Sequence, residues 1–175
     1  MPVVHFVTHP EVVVDPAVAV PDWELSPAGL RRMRLAVERP WAAGVLAKRL
    51  GLETVAIAEL GENDRSATGY LPKAEFEAVA DAFFGRPEES VRGWERAVDA
   101  QRRIVLAVDH VLSVAAGQGD VAIVSHGAVG ALLLCHLTGR PISRSADQPA
   151  GGGGYFYSFD AVDRRVVSGW RRIED

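Results

Sequence analysis

The sequence predicts a single α/β domain, a three-layer sandwich in which a mostly parallel central sheet carries helices on both faces. Three observations predict it. Short β-branched and apolar runs alternate with amphipathic segments along the chain, the pattern in which helices serve as crossovers between neighbouring strands. The run Asp120-Val121-Ala122-Ile123-Val124-Ser125 is almost wholly apolar, as a central strand covered on both sides is. Two such runs end in histidine, His9 and His126, and in an open α/β sheet the ligand crevice lies at the carboxyl ends of the strands. With 175 residues and 48% hydrophobic content, one core accommodates the chain, so residues 1–175 are expected to form one domain.

Val3 to Thr8 is the first strand, stopped at Pro10, whose ring removes a ladder donor. The chain then stays extended through Pro16 and Pro21 until Ser26-Pro27, an N-cap followed by proline at the first helical position, opens a helix to about Arg39. After Pro40, Ala42 to Leu50 forms a shorter helical segment closed by Gly51. Thr54 to Ala58 reads as a brief strand, and Leu60 to Gly69 as a polar, exposed loop. Pro72 opens an amphipathic helix through Phe84. Beyond Gly85-Arg86-Pro87 a longer one runs from about Ser90 to Leu112, with Trp94, Ile104, Val108 and Leu112 near helical spacing. Gly127 to Leu137 is an apolar helix closed by Gly139. Pro149 to Gly154 reads as a flexible connector into two last strands, around Tyr155 to Phe159 and Val166 to Trp170.

Composition excludes several function classes. A formal charge of −4 argues against nucleic-acid partners, because such binding needs a cationic surface that releases counterions. No apolar run reaches the roughly 20 residues of a membrane span, and the first residues lack a cationic leader, so no membrane association and a cytoplasmic location are expected. Cys135 is the one cysteine; it forms no intrachain disulfide, and its apolar neighbours make it a buried, inert thiol. The chain lacks a Walker pattern and a glycine fingerprint after its first strand. His5 and His9 are four residues apart but on a strand, where that spacing does not gather metal ligands. No metal or cofactor is expected, and the oligomeric state has no legible signal.

His126 is followed at once by Gly127 and a helix, so backbone N–H groups and the positive end of the helix dipole face any anion bound there. Either histidine alone is as readily a polar strand-end residue bonded to a nearby carbonyl. Together they favour a phosphate site. His5, His110 and His136 have no accompanying motif and read as structural.

In order along the chain stand a histidine ending the first strand, Leu-Ser-Pro-x-Gly at Leu25 to Gly29, Leu-Gly-Glu at Leu60 to Glu62, and Val-Ser-His-Gly at Val124 to Gly127. This order resembles the histidine phosphatase, or phosphoglycerate mutase-like, superfamily over most of the chain, the late motif being its most specific part. The resemblance implies that His9 is the nucleophile forming a phosphohistidine, that Glu62 protonates the leaving oxygen and then activates water, and that His126 stabilises the transferring group. The expected reaction is cofactor-independent hydrolysis of a small phosphorylated substrate, a phosphomonoester. Arg65 is the candidate phosphate clamp, with Thr8 and Gly127 completing the phosphate contacts; its alternative is an ordinary surface arginine.

The chain departs from the family at two places. Thr8-His9-Pro10 stands where the family has Arg-His-Gly, and one neutral hydroxyl replaces a bidentate cation. That keeps open a catalytically weak or inactive relative that binds a phosphorylated ligand or partner. A strand and turn that usually follow the first helix also have no counterpart near residues 45–46. The cost of unpaired sheet edges favours omission of residues between Val45 and Leu46 over true loss. Arg140 and Arg144 either reach an anionic substrate or cap the helix before them, the cap being favoured.

Overall fold

The computed structural model describes residues 1–18, 23–36 and 54–174. Among the described residues, four strands, β1 (Val3–Thr8), β2 (Val121–Ser125), β3 (Tyr155–Asp160) and β4 (Val166–Arg172), accompany four helices, α1 (Pro27–Ala36), α2 (Lys73–Gly85), α3 (Ala97–Val114) and α4 (Gly127–Leu137). The strand order is β2-β1-β3-β4. The α/β architecture is the expected one.

Among these strands the sheet is mixed where strand–helix alternation predicts a mostly parallel one. β1 and β2 run parallel, but β3 is antiparallel to β1 and β4 to β3. The reason lies in the connections. After α4 the chain returns to the end at which β1 finishes, where the Gly154 N–H donates to His9 O at 3.0 Å, so β3 enters from that end. β3 and β4 are then joined directly across residues 161–165, with no helix to carry a crossover. β1, not β2, is flanked on both sides among the described strands. β2 is terminal there and alternates in exposure, with Ala122 and Val124 open.

The core follows from the two periodicities. Val4 and Phe6 of β1, Ile123 of β2, and Tyr157 and Phe159 of β3 form one apolar face. Ile104, Val108 and Leu112 of α3 and Val129 and Leu133 of α4 cover it. Phe6 and Tyr157, paired in register, stack with ring centroids 5.2 Å apart. The opposite face is buried too, through Val7, Phe156 and Ser158. A second cluster joins Val79, Phe83 and Phe84 of α2 to Trp94, Ala97 and Ala100, and to Ala131 and Leu132 of α4. Full burial of each large side chain contributes on the order of 2 kcal/mol.

Three predicted elements differ. Residues 54–57 form no strand; the chain is irregular there and closes in a 3₁₀ turn, Ala58–Leu60. The long helix starts at Ala97, not Ser90, because Arg92 and Gly93 take positive φ (53° and 82°) within the short 3₁₀ turn Val91–Gly93 and break the backbone there. Trp94, read as a helix-face residue, plugs the second core before α3 begins. Pro149 to Gly154 is no loose connector, as the site makes clear. The helical segment 42–50, the first helix beyond residue 36 and the junction at 45–46 lie outside the described residues. His110 and His136 are exposed on α3 and α4, and Cys135 is buried, as read. Among the described residues no helix is long and apolar enough to cross a membrane.

Candidate active site

Parallel register brings the two histidines together. Thr8 of β1 pairs with Ser125 of β2, so the next residue of each strand emerges side by side, and the His9 N–H donates to Ser125 O at 3.1 Å. The rings of His9 and His126 meet edge to face, centroids 5.0 Å apart at 75°. His9 Nδ1 lies 2.9 Å from Pro10 O. A carbonyl only accepts, so Nδ1 is the donor, which in a neutral ring leaves the lone pair on Nε2. The main-chain carbonyl of Pro10 thereby fixes the orientation of the His9 ring.

His126 is the N-cap of α4, and Glu62 comes to the same helix end. Glu62 Oε1 accepts from the Val129 N–H at 3.3 Å and from the Asn63 N–H at 3.1 Å. A carboxylate at a helix N-terminus is held by the orphan N–H groups and the dipole. The loop that presents it is clamped from two sides. Ser125 Oγ donates to Leu60 O at 2.6 Å. Arg103 of α3 donates to the carbonyls of Glu59, Gly61 and Glu62 and pairs with Glu95. Burial lowers the proton affinity of His126, against the pull of Glu62, and the charges of His9, Arg65 and Arg103 lower it further. Burial raises the Asp147 carboxyl, and Glu62 and Glu77 add to that.

A cavity of about 330 Å³ opens over His9 and Glu62, lined also by Thr8, Glu11, Asn63, Arg65, Gly127 and Asp147, among others, but not by His126. A larger one, near 680 Å³, borders Ile57, Leu106 and His110 and contains none of the predicted site residues. Arg65 lies in the wall of the first, its guanidinium over the rings of Phe76 and Trp94 at 5.3 and 5.7 Å. Its forked donors have no carboxylate partner among the described residues, unlike those of a paired surface arginine. Gly127 stands beneath the Gln148 side chain: a Cβ there would come within 2.6 Å of Gln148 Nε2.

Thr8 is in place but already engaged. It is buried, its Oγ1 donates to Gln148 Oε1 at 2.6 Å or to Tyr155 O at 3.2 Å, and it accepts from the Tyr155 N–H at 3.0 Å. Arg144 does not cap α4. It turns to α2, bonding Glu77 and Asp81, because two carboxylates there outcompete a helix end. His5 bonds Ser158 Oγ at 2.9 Å on the far face of β1, and no group of three or more His, Cys, Asp or Glu among the described residues is arranged to hold a metal.

What the sequence reading missed is the support of His9. Gly151 to Gly154 all take positive φ, and a Cβ on Gly153 would lie 2.2 Å from His9 O, so only glycine lets this run pass so close. Arg32 of α1 donates to the carbonyls of Gly151, Gly153 and Gly154 while pairing with Glu174. The linker reading failed because four glycines look the same whether they are loose or packed.

The family model that matches this chain, over residues 41–150, is that of the histidine phosphatase superfamily (branch 1). The chain belongs to the histidine phosphatase superfamily. Glu62 and His126 lie inside the matched segment and His9 before it. YhfR of Bacillus stearothermophilus is structurally similar, with a TM-score of 0.77 at 18% identity over 96% of this chain and 95% of that one. So is mycobacterial glucosyl-3-phosphoglycerate phosphatase in complex with inorganic phosphate, with a TM-score of 0.73 at 19% identity over the whole of both chains. A phosphoserine phosphatase mutant from Entamoeba histolytica, in complex with phosphoserine, has a TM-score of 0.67 at 14% identity over 99% and 98%. At such identities the likeness is one of fold. No curated protein matches the chain significantly.

Proposed function

We propose that this histidine phosphatase superfamily member hydrolyses phosphomonoesters through a phosphohistidine on His9. The observation that carries the reading is the His9–His126 ring pair, with His9 Nδ1 bound to Pro10 O. His9 Nε2 attacks phosphorus, the P–O bond to the alcohol breaks, and Glu62 delivers a proton to the departing oxygen. Water then attacks the phosphohistidine, Glu62 takes its proton, the N–P bond breaks, and inorganic phosphate leaves. His126, kept neutral by burial, donates to the transferring group. Gly127 and the first turn of α4 offer backbone N–H groups, and Arg65 the counter-charge. No step calls for a metal or an organic cofactor.

A second reading is favoured by one observation: Thr8 stands in the position of the family arginine with its hydroxyl already bonded to Gln148 and Tyr155. On it the chain is a weak or inactive relative that binds a phosphorylated ligand. Turnover of an aryl phosphate by wild type and His9→Ala separates the two. The proposal expects a loss of roughly a thousandfold or more in the variant, and acid-labile phosphate on wild-type protein after rapid quench. Equal, background-level rates in both proteins count for the binder.

A further inference from the structure

The loop that carries Glu62 holds a second functional group. Asn63 belongs to a polar, turn-rich segment, where an amide is ordinarily solvated. It is only 4% exposed, and its Nδ2 has no hydrogen-bond partner. Buried side-chain donors are nearly always paired. This is the one unpaired buried side-chain polar atom among the described residues, and its residue, Asn63, lines the cavity shared by His9 and Glu62.

The loop cannot relieve the orphan by swinging outward. The Asn63 N–H is held by Glu62 Oε1 at 3.1 Å, the Asp64 N–H by Glu95 Oε2 at 3.1 Å, and Asp64 O accepts from the Glu95 N–H at 2.9 Å. Arg103 fixes the preceding carbonyl. The side-chain amide itself makes no hydrogen bond to a described residue, so rotation about χ2 exchanges its two ends without breaking one. An oxyanion in the cavity draws the NH₂ end forward. Thr8, meanwhile, has no hydroxyl to spare. A neutral amide beside Glu62 supplies a donor without ion-pairing with that carboxylate, as a guanidinium would.

We propose that Asn63 is a substrate-binding residue whose Nδ2 donates to a phosphoryl oxygen in this cavity. The inference rests on the reading of the His9 site as a phosphoryl site. Its test is equilibrium binding of inorganic phosphate to wild type, Asn63→Leu and Asn63→Asp, with thermal unfolding of each. Asn63→Leu removes the donor at similar volume and leaves nothing unpaired. It is expected to weaken phosphate roughly tenfold with Tm unchanged or higher. Asn63→Asp adds a negative charge and is expected to weaken it on the order of a hundredfold. Affinity of Asn63→Leu within threefold of wild type overturns the inference and leaves the reading of the site intact. A loss of affinity matched by a fall in Tm also overturns it, assigning Asn63 to holding the loop. Failure of wild type to bind phosphate overturns the inference and the site reading together.

Discussion

The two histidines face each other across 5.0 Å but are held by different physics. His126 is positioned locally: a strand ends, a helix begins one residue later, and Glu62 settles on that helix end. His9 is positioned by residues far away in sequence. Ser125 accepts from its N–H, Gly154 donates to its carbonyl, and the glycine run that reaches it is fastened by Arg32 and Glu174. A site built half from local rules and half from long-range packing tolerates change unequally.

Substitution of glycine on each side tests that inequality. Gly153→Ala is expected to be the most damaging, since its Cβ would meet the His9 carbonyl at 2.2 Å in a backbone of φ +70°. Both the strain and the clash fall on main chain that cannot step aside, so a loss of about 2–4 kcal/mol is expected, together with a drop in kcat. Denaturant unfolding and steady-state kinetics check it; wild-type values for both would mean that His9 does not depend on the run.

The His126 side is expected to respond to pH. Burial lowers its proton affinity in the folded chain, and lowers that of His5 as well. As pH falls below the ordinary imidazole value of about 6.5, the unfolded chain binds protons that the folded chain resists. The stability present above that value is therefore lost progressively toward the lowered folded pKa. Tm measured from pH 8 to 5 should fall on the acid side, and less steeply in His126→Gln. An identical slope in the variant would place the titration elsewhere.

The smallest effect is expected for Gly127→Ala. Its Cβ would meet only the end of the Gln148 side chain, which can move, and alanine favours the helix. A stability change under about 1 kcal/mol would complete the contrast with Gly153; a loss as large would erase it.

The same division explains what was legible in the sequence. Strands ending in His9 and His126, the caps at Ser26 and Gly139 and the apolar face of α4 follow from patterns a few residues long, and the motif order supplied Glu62. Nothing local distinguishes a glycine run packed on His9 from a linker, or Arg32 from any other helix arginine. Asn63 falls in the segment from Leu60 to Gly69 that reads as an exposed loop, because burial of a loop depends on what folds over it. Arg144 was assigned to the nearer helix end because carboxylates 63 and 67 positions away are invisible to a local reading. The antiparallel pairings of β3 and β4 were invisible for the same reason, since strand direction there was set by where residues 138–154 return.

The position of β1 also orders the assembly of the protein in time. Its partners, β2 and β3, begin at Val121 and Tyr155, so the strand that ends in His9 is made first and acquires both neighbours last. During synthesis, at some 5–20 residues per second, an apolar strand keeps both edges open until β2 is made and one open until β3 follows. Pairings so distant in sequence are slow to form and prone to intermolecular substitutes. Nascent chains halted before residue 155 should therefore be captured by holding chaperones through β1, and His9 gains its Gly154 contact only once β3 has docked.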